Sequence, residues 1–196
     1  MARTKHPKSE THRRIVEAAA AALRERGVSG IGVAELMREA GLTHGGFYAH
    51  FKSKDELVAE ALAHTSAASR AAMAETAAGA PPGEALLAVA DAYLTSRHRE
   101  HPERGCAIAA LAGEILRQDG AARQRLSANI GALLARLATY APAAGEDERR
   151  RQATGTFAAM LGGLILARGV GDPNEADRIL AEVRAFLRSN TSGGER

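Results

Sequence analysis

The sequence has one cysteine, Cys106, no tryptophan and only 4% aromatic residues among 196 positions. A single cysteine excludes an intrachain disulfide. No apolar run approaches the roughly 20 residues of a membrane span, so we expect no membrane partner. The charged N-terminus is not followed by the apolar segment of a secretory signal, because charged residues at positions 24–26 interrupt the short run at 18–23. We therefore expect a cytoplasmic protein.

Motifs of common enzyme classes are also missing. The sequence has no phosphate-binding Gly-rich loop ending in Gly-Lys-Ser/Thr, no His-Glu-x-x-His pair and no Gly-x-Ser-x-Gly elbow. His98 and His101 lie three residues apart near Glu100, but this charged, proline-containing segment, predicted to be a loop, supplies no further ligands. We therefore predict a protein that is not an enzyme and needs neither a metal nor a cofactor.

The chain is rich in alanine, which has the highest helix propensity. Apolar residues recur at helical spacing along most of the sequence, and no strand pattern or internal repeat occurs. A chain of this length can bury a large core, about 70% of its unfolded surface. We predict an all-α fold with about nine helices.

The most informative stretch runs from residue 33 to residue 51 and predicts two short helices joined by a tight turn. The first helix has one apolar stripe at i, i+3, i+4 and i+7, formed by Val33, Leu36, Met37 and Ala40. Gly41 follows where a helix end needs a left-handed residue, and Thr43 can cap the second helix through its side chain. Phe47 and Phe51 can face inward. This arrangement is the helix-turn-helix, whose second helix enters the DNA major groove.

With the helices before and after it, this stretch resembles the DNA-binding domain of a TetR-family transcriptional repressor. The resemblance covers residues 11–62 and is most specific at residues 40–57, AGLTHGGFYAHFKSKDEL. It implies a three-helix DNA-binding domain at residues 1–53, with a mobile basic arm at 1–9. A helical effector-binding and dimerisation domain follows at residues 54–196, with the fourth helix as the link.

The resemblance also implies the partners and the activity. We expect a homodimer that binds a double-stranded, palindromic DNA operator and is released by a small hydrophobic or reactive effector. A DNA-binding protein without an effector is a less favoured alternative, because it would not need some 130 further residues of apolar-striped helices. The charge is consistent with DNA binding, since residues 1–56 carry ten Lys/Arg against seven Asp/Glu and the remainder carries sixteen of each.

Seven residues are predicted to contact DNA: Thr43, His44, Gly45, Gly46, Tyr48, His50 and Lys54. The Tyr, His and Lys positions that bind phosphates in the family match Tyr48, His50 and Lys54. The Thr43 hydroxyl and the backbone N–H groups after it form a phosphate site at a helix start. The next three residues, 44–46, are assigned to base edges, where consecutive glycines let the backbone approach the groove floor. Partial burial of Tyr48 and an internal hydrogen bond of His50 remain alternatives.

Three further features follow from the sequence beyond the helix-turn-helix. Ser53 and Glu56 form a capping box at the start of the fourth helix, which continues to about residue 78. The last helix has a clear start, with Asp172 as N-cap and Pro173 at N1. Glycines in the preceding helix, at positions 155, 162 and 163, cost roughly 1 kcal/mol each relative to alanine. They indicate the close approach of another backbone.

The regulatory half supplies a predicted effector pocket and a predicted dimer interface. The pocket residues are Met73, Tyr93, Leu94, Cys106, Leu111, Ile115, Leu133, Phe157, Met160 and Leu164. The interface residues are Phe157, Leu161, Leu164, Ile179, Val183, Phe186 and Leu187. Core packing is the alternative for each of them. Cys106 precedes a helix and follows Arg104, features that make a thiol more reactive. A family branch that senses electrophiles or oxidants has a similar Gly-Cys pair, so a thiol-sensing repressor is an alternative to reversible ligand binding, and an inert cysteine is another.

Overall fold

The computed structural model describes residues 8–191, and every regular element in that range is helical. Nine α-helices occur there: α1 (Lys8–Arg26), α2 (Val33–Glu39), α3 (Lys54–Ala78), α4 (Ala85–Tyr93), α5 (Ser96–Glu100), α6 (Ala107–Ile115), α7 (Ala121–Ala138), α8 (Glu146–Gly169) and α9 (Pro173–Thr191). Two short 3₁₀ helices lie at His44–Ala49 and Pro102–Arg104. The predicted all-α fold is confirmed.

Helix α1 begins at Lys8, the first residue that the structure describes. Residues 1–7 of the predicted basic arm lie outside the described residues. Lys8 and Ser9 belong to α1, so this helix begins about two residues earlier than predicted. Between residues 8 and 191, no helix has both the length and the apolar character needed to cross a bilayer.

The charged segment at 96–105, predicted as a loop, contains α5 and the second 3₁₀ helix. Thr95 caps α5, because its Oγ1 accepts the backbone N–H of His98 at 3.2 Å. A side-chain acceptor at this position satisfies an N–H group that would otherwise lack a helical partner. The prediction was wrong here because it weighted the charge and the proline above the cap.

The chain forms two compact units that alternate along the sequence. The first consists of Met1–Ala67 and Cys106–Asn129, and the second of Ala68–Gly105 and Ile130–Arg196. Helices α3 and α7 therefore contribute residues to both units. This grouping differs from a division after residue 53, because α6 and the start of α7 pack with the N-terminal helices. The functional division into DNA-binding and effector domains stays a prediction.

The first unit has an apolar core to which most of its helices contribute. Its largest fully buried side chains are Ile15, Leu23, Leu36, Met37, Phe47, Phe51, Leu57, Leu62, Ile115 and Leu126. Helix α6 packs against α1. Asn129 is buried at the edge of this core, and its Nδ2 donates to the carbonyl of Leu62 at 3.1 Å. The buried amide is thus paired, as a polar group inside a core needs to be.

In the second unit, α8 and α9 pack along each other. A Cβ built on Gly163 would lie only 3.0 Å from Cγ2 of Val183, so glycine lets α9 approach α8 closely. Gly155 and Gly162 instead face open space within the chain. Among these three glycines only Gly163 has a close neighbour within the chain, and that neighbour is a side chain, so the predicted close approach of a backbone is not found there.

Charged side chains attach α5 to the last two helices. The guanidinium of Arg168 on α8 donates to the carbonyls of His98 at 2.7 Å and of Arg99 at 3.2 Å. Arg99 in turn pairs with Asp177 of α9 at 2.9 Å. These contacts fix a short helix that could not form alone, since isolated helices of this length are unstable.

Candidate DNA-binding surface and regulatory region

The predicted turn of the helix-turn-helix is present. Gly41 has a φ of +72°, the left-handed conformation that ends a helix. The N–H of Leu42 donates to the carbonyl of Met37 at 2.8 Å. The guanidinium of Arg14 on α1 donates to the carbonyl of Ala40 at 3.0 Å. It therefore caps the end of α2 and fixes the turn.

The second helix of the motif is a six-residue 3₁₀ helix rather than an α-helix. Thr43 stands at its N-cap, but its hydroxyl makes no capping hydrogen bond; the N–H of Gly46 donates to the carbonyl of Thr43 at 3.1 Å. The predicted side-chain cap is therefore wrong. Two consecutive glycines explain the irregular helix, because glycine has low helix propensity.

This short helix separates an outer face from an inner one. Phe47 and Phe51 are buried, as predicted, and their ring centroids lie 5.5 Å apart. Thr43, His44, Gly45 and Tyr48 are exposed, and Gly46 is half-buried. The Tyr48 side chain is 71% exposed, so it is not part of the core. The exposed residues therefore lie on the outer face of the short helix, and the two phenylalanine rings lie on its inner face.

His50 lies beside this face and is half-buried. Its Nδ1 is enclosed and has no hydrogen-bond partner. His12 of α1 stands near it, with ring centroids 5.8 Å apart, and also stacks on Phe51. Burial, followed by the nearby His12 and Lys8, lowers the pKa of His50 below its ordinary value of 6.5. His50 is therefore held in its neutral form in the free protein.

Lys54 is placed differently from the prediction of an outward phosphate ligand. Its ammonium donates to the backbone carbonyls of Val28 and Ile31, in the loop between α1 and α2. Lys54 is the first residue of α3 and is half-buried. In the free protein its side chain therefore holds the loop, and its phosphate contact stays a prediction.

The capping box at the start of α3 is confirmed in part. The N–H of Glu56 donates to Oγ of Ser53 at 3.1 Å, as predicted. The carboxylate of Glu56 accepts the N–H of Lys52 at 2.5 Å, one residue before the expected N-cap. Both contacts satisfy N–H groups at the helix start.

Two carboxylates that sequence reasoning missed hold segments of the first unit together. Asp55 accepts the N–H groups of Ala121 and Ala122, at 2.7 and 3.1 Å, at the start of α7. Glu114 on α6 accepts the N–H groups of Val28 and Ser29, at 3.1 and 2.8 Å. The partners lie 66 to 86 residues apart in sequence, so no local pattern indicates them.

Family comparisons agree with this geometry. Residues 15–61 match the profile described as "Bacterial regulatory proteins, tetR family". Residues 82–183, about half of the chain, match the profile described as "Tetracyclin repressor-like, C-terminal domain". The chain belongs to the TetR family. Its members are DNA-binding transcriptional regulators rather than enzymes.

Individual TetR-family relatives support the same assignment. The HTH-type transcriptional regulator TtgR of Pseudomonas putida is 45% identical over 56 residues, 29% of this chain and 27% of TtgR, so this match spans about a quarter of that regulator. The crystal structure of a TetR transcriptional regulator from Chloroflexus aurantiacus J-10-FL has 26% identity and a TM-score of 0.77, covering 94% of this chain and 96% of that one. Reduced NemR of E. coli has 20% identity and a TM-score of 0.78, covering 92% and 96%, and shows the fold alone.

Most residues of the predicted effector pocket belong to the apolar interior of this TetR-family chain. Leu111 and Ile115 are buried in the first unit. Six residues are buried in the second unit: Tyr93, Leu94, Leu133, Phe157, Met160 and Leu164. Met73 and Cys106 are half-buried. An open depression at the start of α7, lined by residues from Asp119 to Ala128, includes none of them.

Aromatic rings cluster in the second unit. Tyr93 contacts the ring of His98 edge to face, at a centroid distance of 4.4 Å, and the ring of Phe157 at 6.5 Å. Nδ1 of His98 lies 2.8 Å from the carbonyl of Tyr93. Burial lowers the pKa of His98 below 6.5. The hydrogen bond to Tyr93 partly offsets this shift, and the charge of Arg168 adds to it. His98 is thus a neutral part of an aromatic cluster.

The predicted dimer residues divide into two groups. Phe157, Leu164 and Leu187 are buried within the chain, which agrees with the alternative of core packing, and their interface role stays a prediction. Leu161, Ile179 and Val183 are half-buried, and Phe186 is 61% exposed. Two further apolar side chains on α8, Ile165 and Leu166, are exposed although they were not assigned to the interface. Their exposure depends on how α9 packs on α8, which the helical pattern alone does not determine.

Proposed function

We propose that the protein is a transcriptional repressor that binds an operator as a homodimer and is released by a small-molecule effector. The observation that carries this proposal is the exposure of Thr43, His44, Gly45 and Tyr48 over the buried rings of Phe47 and Phe51, in a helix-turn-helix of a TetR-family chain. A rigid support below an exposed polar face is what base and phosphate contacts require. Because a protein that binds an operator must have access to DNA, we place it in the cytoplasm.

On this proposal, Tyr48 and Thr43 bind phosphates, and His44, Gly45 and Gly46 lie against base edges. His50 binds a phosphate from the edge of the same face. Only His44 among the base-edge residues has a side chain that can read a base. The dimer therefore relies on DNA shape as well as on direct contacts. Two equal half-sites about one helical turn apart, roughly 34–36 Å, suit a two-fold symmetric dimer.

The effector is proposed to bind in the second unit, near the aromatic cluster of Tyr93. Apolar residues of α4 and α8 surround a phenol and an imidazole there, a lining that suits a small hydrophobic molecule with one polar group. Such a ligand acts by preferring the protein conformation that does not fit the operator. The residues that line the site when it is occupied stay a prediction.

The experiment that tests the proposed function is binding to the DNA immediately upstream of the protein's own gene. Tight binding should weaken by about 10³- to 10⁵-fold between 50 and 200 mM salt if 6–10 phosphates are contacted. A panel of small hydrophobic molecules is then screened for release of the complex. Binding no tighter than to random DNA would contradict operator recognition at that site. Specific binding that no molecule in the panel releases would favour the effector-independent alternative.

A thiol-sensing mechanism is the second candidate, and the position of Cys106 supports it. Cys106 is half-buried at the N-cap of α6. A thiol at a helix N-terminus is a favourable place for oxidation or alkylation. If this mechanism holds, an electrophile releases wild-type protein from the operator but does not release Cys106→Ser. Equal release of both proteins would exclude Cys106 as the sensor.

A further inference from the structure

The loop of residues 27–31 joins α1 to α2, and charged side chains from two other helices hold its backbone. Glu114 of α6 accepts the N–H groups of Val28 and Ser29. Lys54 of α3 donates to the carbonyls of Val28 and Ile31. The loop backbone is therefore bound on its donor side by a carboxylate and on its acceptor side by an ammonium group. We call Glu114, Lys54 and this loop the loop clamp.

The loop is shaped to admit the carboxylate. Gly27 has a φ of +79°, and a Cβ built on it would lie 2.2 Å from Oε1 of Glu114. Any residue other than glycine would be strained there and would also displace the carboxylate. Val28 and Ile31 are buried, so the loop is anchored in the core of the first unit as well.

The charges of the clamp support each other. Burial of Glu114 opposes its ionisation, but the hydrogen bonds of Ser29 and Val28 and the charge of Lys54 outweigh it, and the pKa of Glu114 is lowered. The carboxylate is therefore ionised near neutral pH. A neutral amide in its place would accept less strongly and would bring its own N–H groups towards the loop N–H groups.

The clamp lies next to the DNA-binding elements. Gly32, immediately after the loop, is the N-cap of α2, and Arg26, immediately before it, pairs with Glu35 and Glu39 of α2. Since α2 packs against the recognition helix His44–Ala49, a shift of the loop moves the start of α2 and changes the support of the recognition helix. Helix α6 thus has a direct connection to the helix-turn-helix within one unit.

We propose that Glu114 is a positioning residue for DNA binding: it fixes the α1–α2 loop from α6 and so sets the geometry of the helix-turn-helix. Lys54 completes the clamp from α3. This role rests on the proposed operator binding, although Glu114 itself need not touch DNA. Operator affinity then depends on a residue of α6, which lies outside the N-terminal DNA-binding sequence.

The test uses the direction of the change in affinity. Glu114→Gln removes a negative charge, and long-range electrostatics alone would make a DNA-binding protein bind slightly tighter. The clamp predicts the opposite: affinity for the operator falls about 2- to 30-fold, the usual range for residues that touch neither ligand. Asp119→Asn is the matched control, because it removes the same charge five residues away, where the carboxylate is exposed and pairs with Arg123. Its affinity should stay within about twofold of wild type.

Two further readouts separate positioning from a loss of folded protein. The ratio of specific to random-DNA affinity should fall in Glu114→Gln, whereas partial unfolding lowers both affinities equally. Amide hydrogen exchange should accelerate at Val28 and Ser29 in that variant before the rest of the unit exchanges. Should Glu114→Gln fail to fold, Ser29→Ala removes only the hydroxyl contact to the carboxylate and should change affinity in the same direction by a smaller factor.

The outcomes are distinct. If wild-type protein does not discriminate the operator from random DNA, the proposed function fails. If wild-type protein discriminates and Glu114→Gln binds as tightly as Asp119→Asn with the same specificity ratio, the clamp has no role in DNA binding. Weaker and less specific binding by Glu114→Gln alone supports it.

Discussion

At the scale of single residues, Gly45 is a position where the requirements of folding can be distinguished from those of the proposed DNA binding. A Cβ built on Gly45 meets nothing within 4 Å, and this glycine does not have a positive φ. The folded protein therefore gives no reason for glycine at a helical position where alanine would be more stable. Close approach of the recognition helix to DNA is a reason that the isolated chain cannot display.

Gly45→Ala should therefore leave the protein as stable as wild type or more stable, by at most about 1 kcal/mol. The same change should lower operator affinity, because a methyl group would stand between the backbone and the groove. Thermal unfolding and operator titration measure the two effects. Loss of stability without loss of affinity would contradict the assignment of Gly45 to the base edges.

His50 should give operator binding part of its pH dependence. Its pKa lies below 6.5 in the free protein because of burial and the nearby His12 and Lys8, with His12 itself 2.6 Å from Glu60. A phosphate favours the charged ring, so binding takes up a proton and wild-type affinity rises as the pH falls from about 8 towards 6. His50→Gln should show a shallower rise, measured at constant ionic strength. His64→Gln, an exposed histidine on α3, is the control and should keep the wild-type slope.

At the scale of elements, the sequence predicted what depends on local patterns. The turn at Gly41, the burial of Phe47 and Phe51 and the start of α3 follow from spacing and capping rules, and the structure contains all of them. The pattern did not predict the inward placement of Lys54 or the contacts of Glu114. Both depend on long-range packing, which one sequence does not contain as a periodic signal.

Gly163 provides a prediction for the packing of α8 on α9. Gly163→Ala places a methyl group against Val183, whose β-branched side chain has little freedom to move away. Gly131→Ala on α7 is the control, since its Cβ would face open space and should gain up to about 1 kcal/mol of helix stability. We expect Gly163→Ala to have the lower free energy of unfolding of the two by denaturant titration. An equal increase in the free energy of unfolding of both variants would show that α9 shifts readily to accommodate the methyl group.

At the scale of the whole molecule, the exposed apolar side chains of α8 and α9 are the most direct support for a dimer. Leu166 and Phe186 are each 61% exposed, and apolar side chains that form a patch on a protein surface mark sites of association. Burying them against a second copy removes this area from water, roughly 25 cal/mol for each Å². The proposed two-fold symmetric operator requires the same assembly.

Phe186→Glu should therefore produce a folded monomer with weakened operator binding. The fold should survive because the side chain of residue 186 lies outside the core. A dimer would bury one glutamate carboxylate from each copy, and this burial would oppose association. Light scattering gives the mass, and circular dichroism confirms the helices. Leu116→Glu, at a leucine 54% exposed in the first unit, is the control and should remain dimeric. A dimeric Phe186→Glu would place the interface elsewhere.

The alternation of the two units along the chain has a consequence for recombination. A regulator assembled by joining one protein's first 67 residues to another protein's remainder would replace the helices that supply Glu114 and the backbone partner of Asp55. Such a chimera would have to carry residues 106–129 along with the N-terminal segment to keep both contacts. We therefore expect a transfer of the proposed DNA specificity between relatives to require grafting both segments.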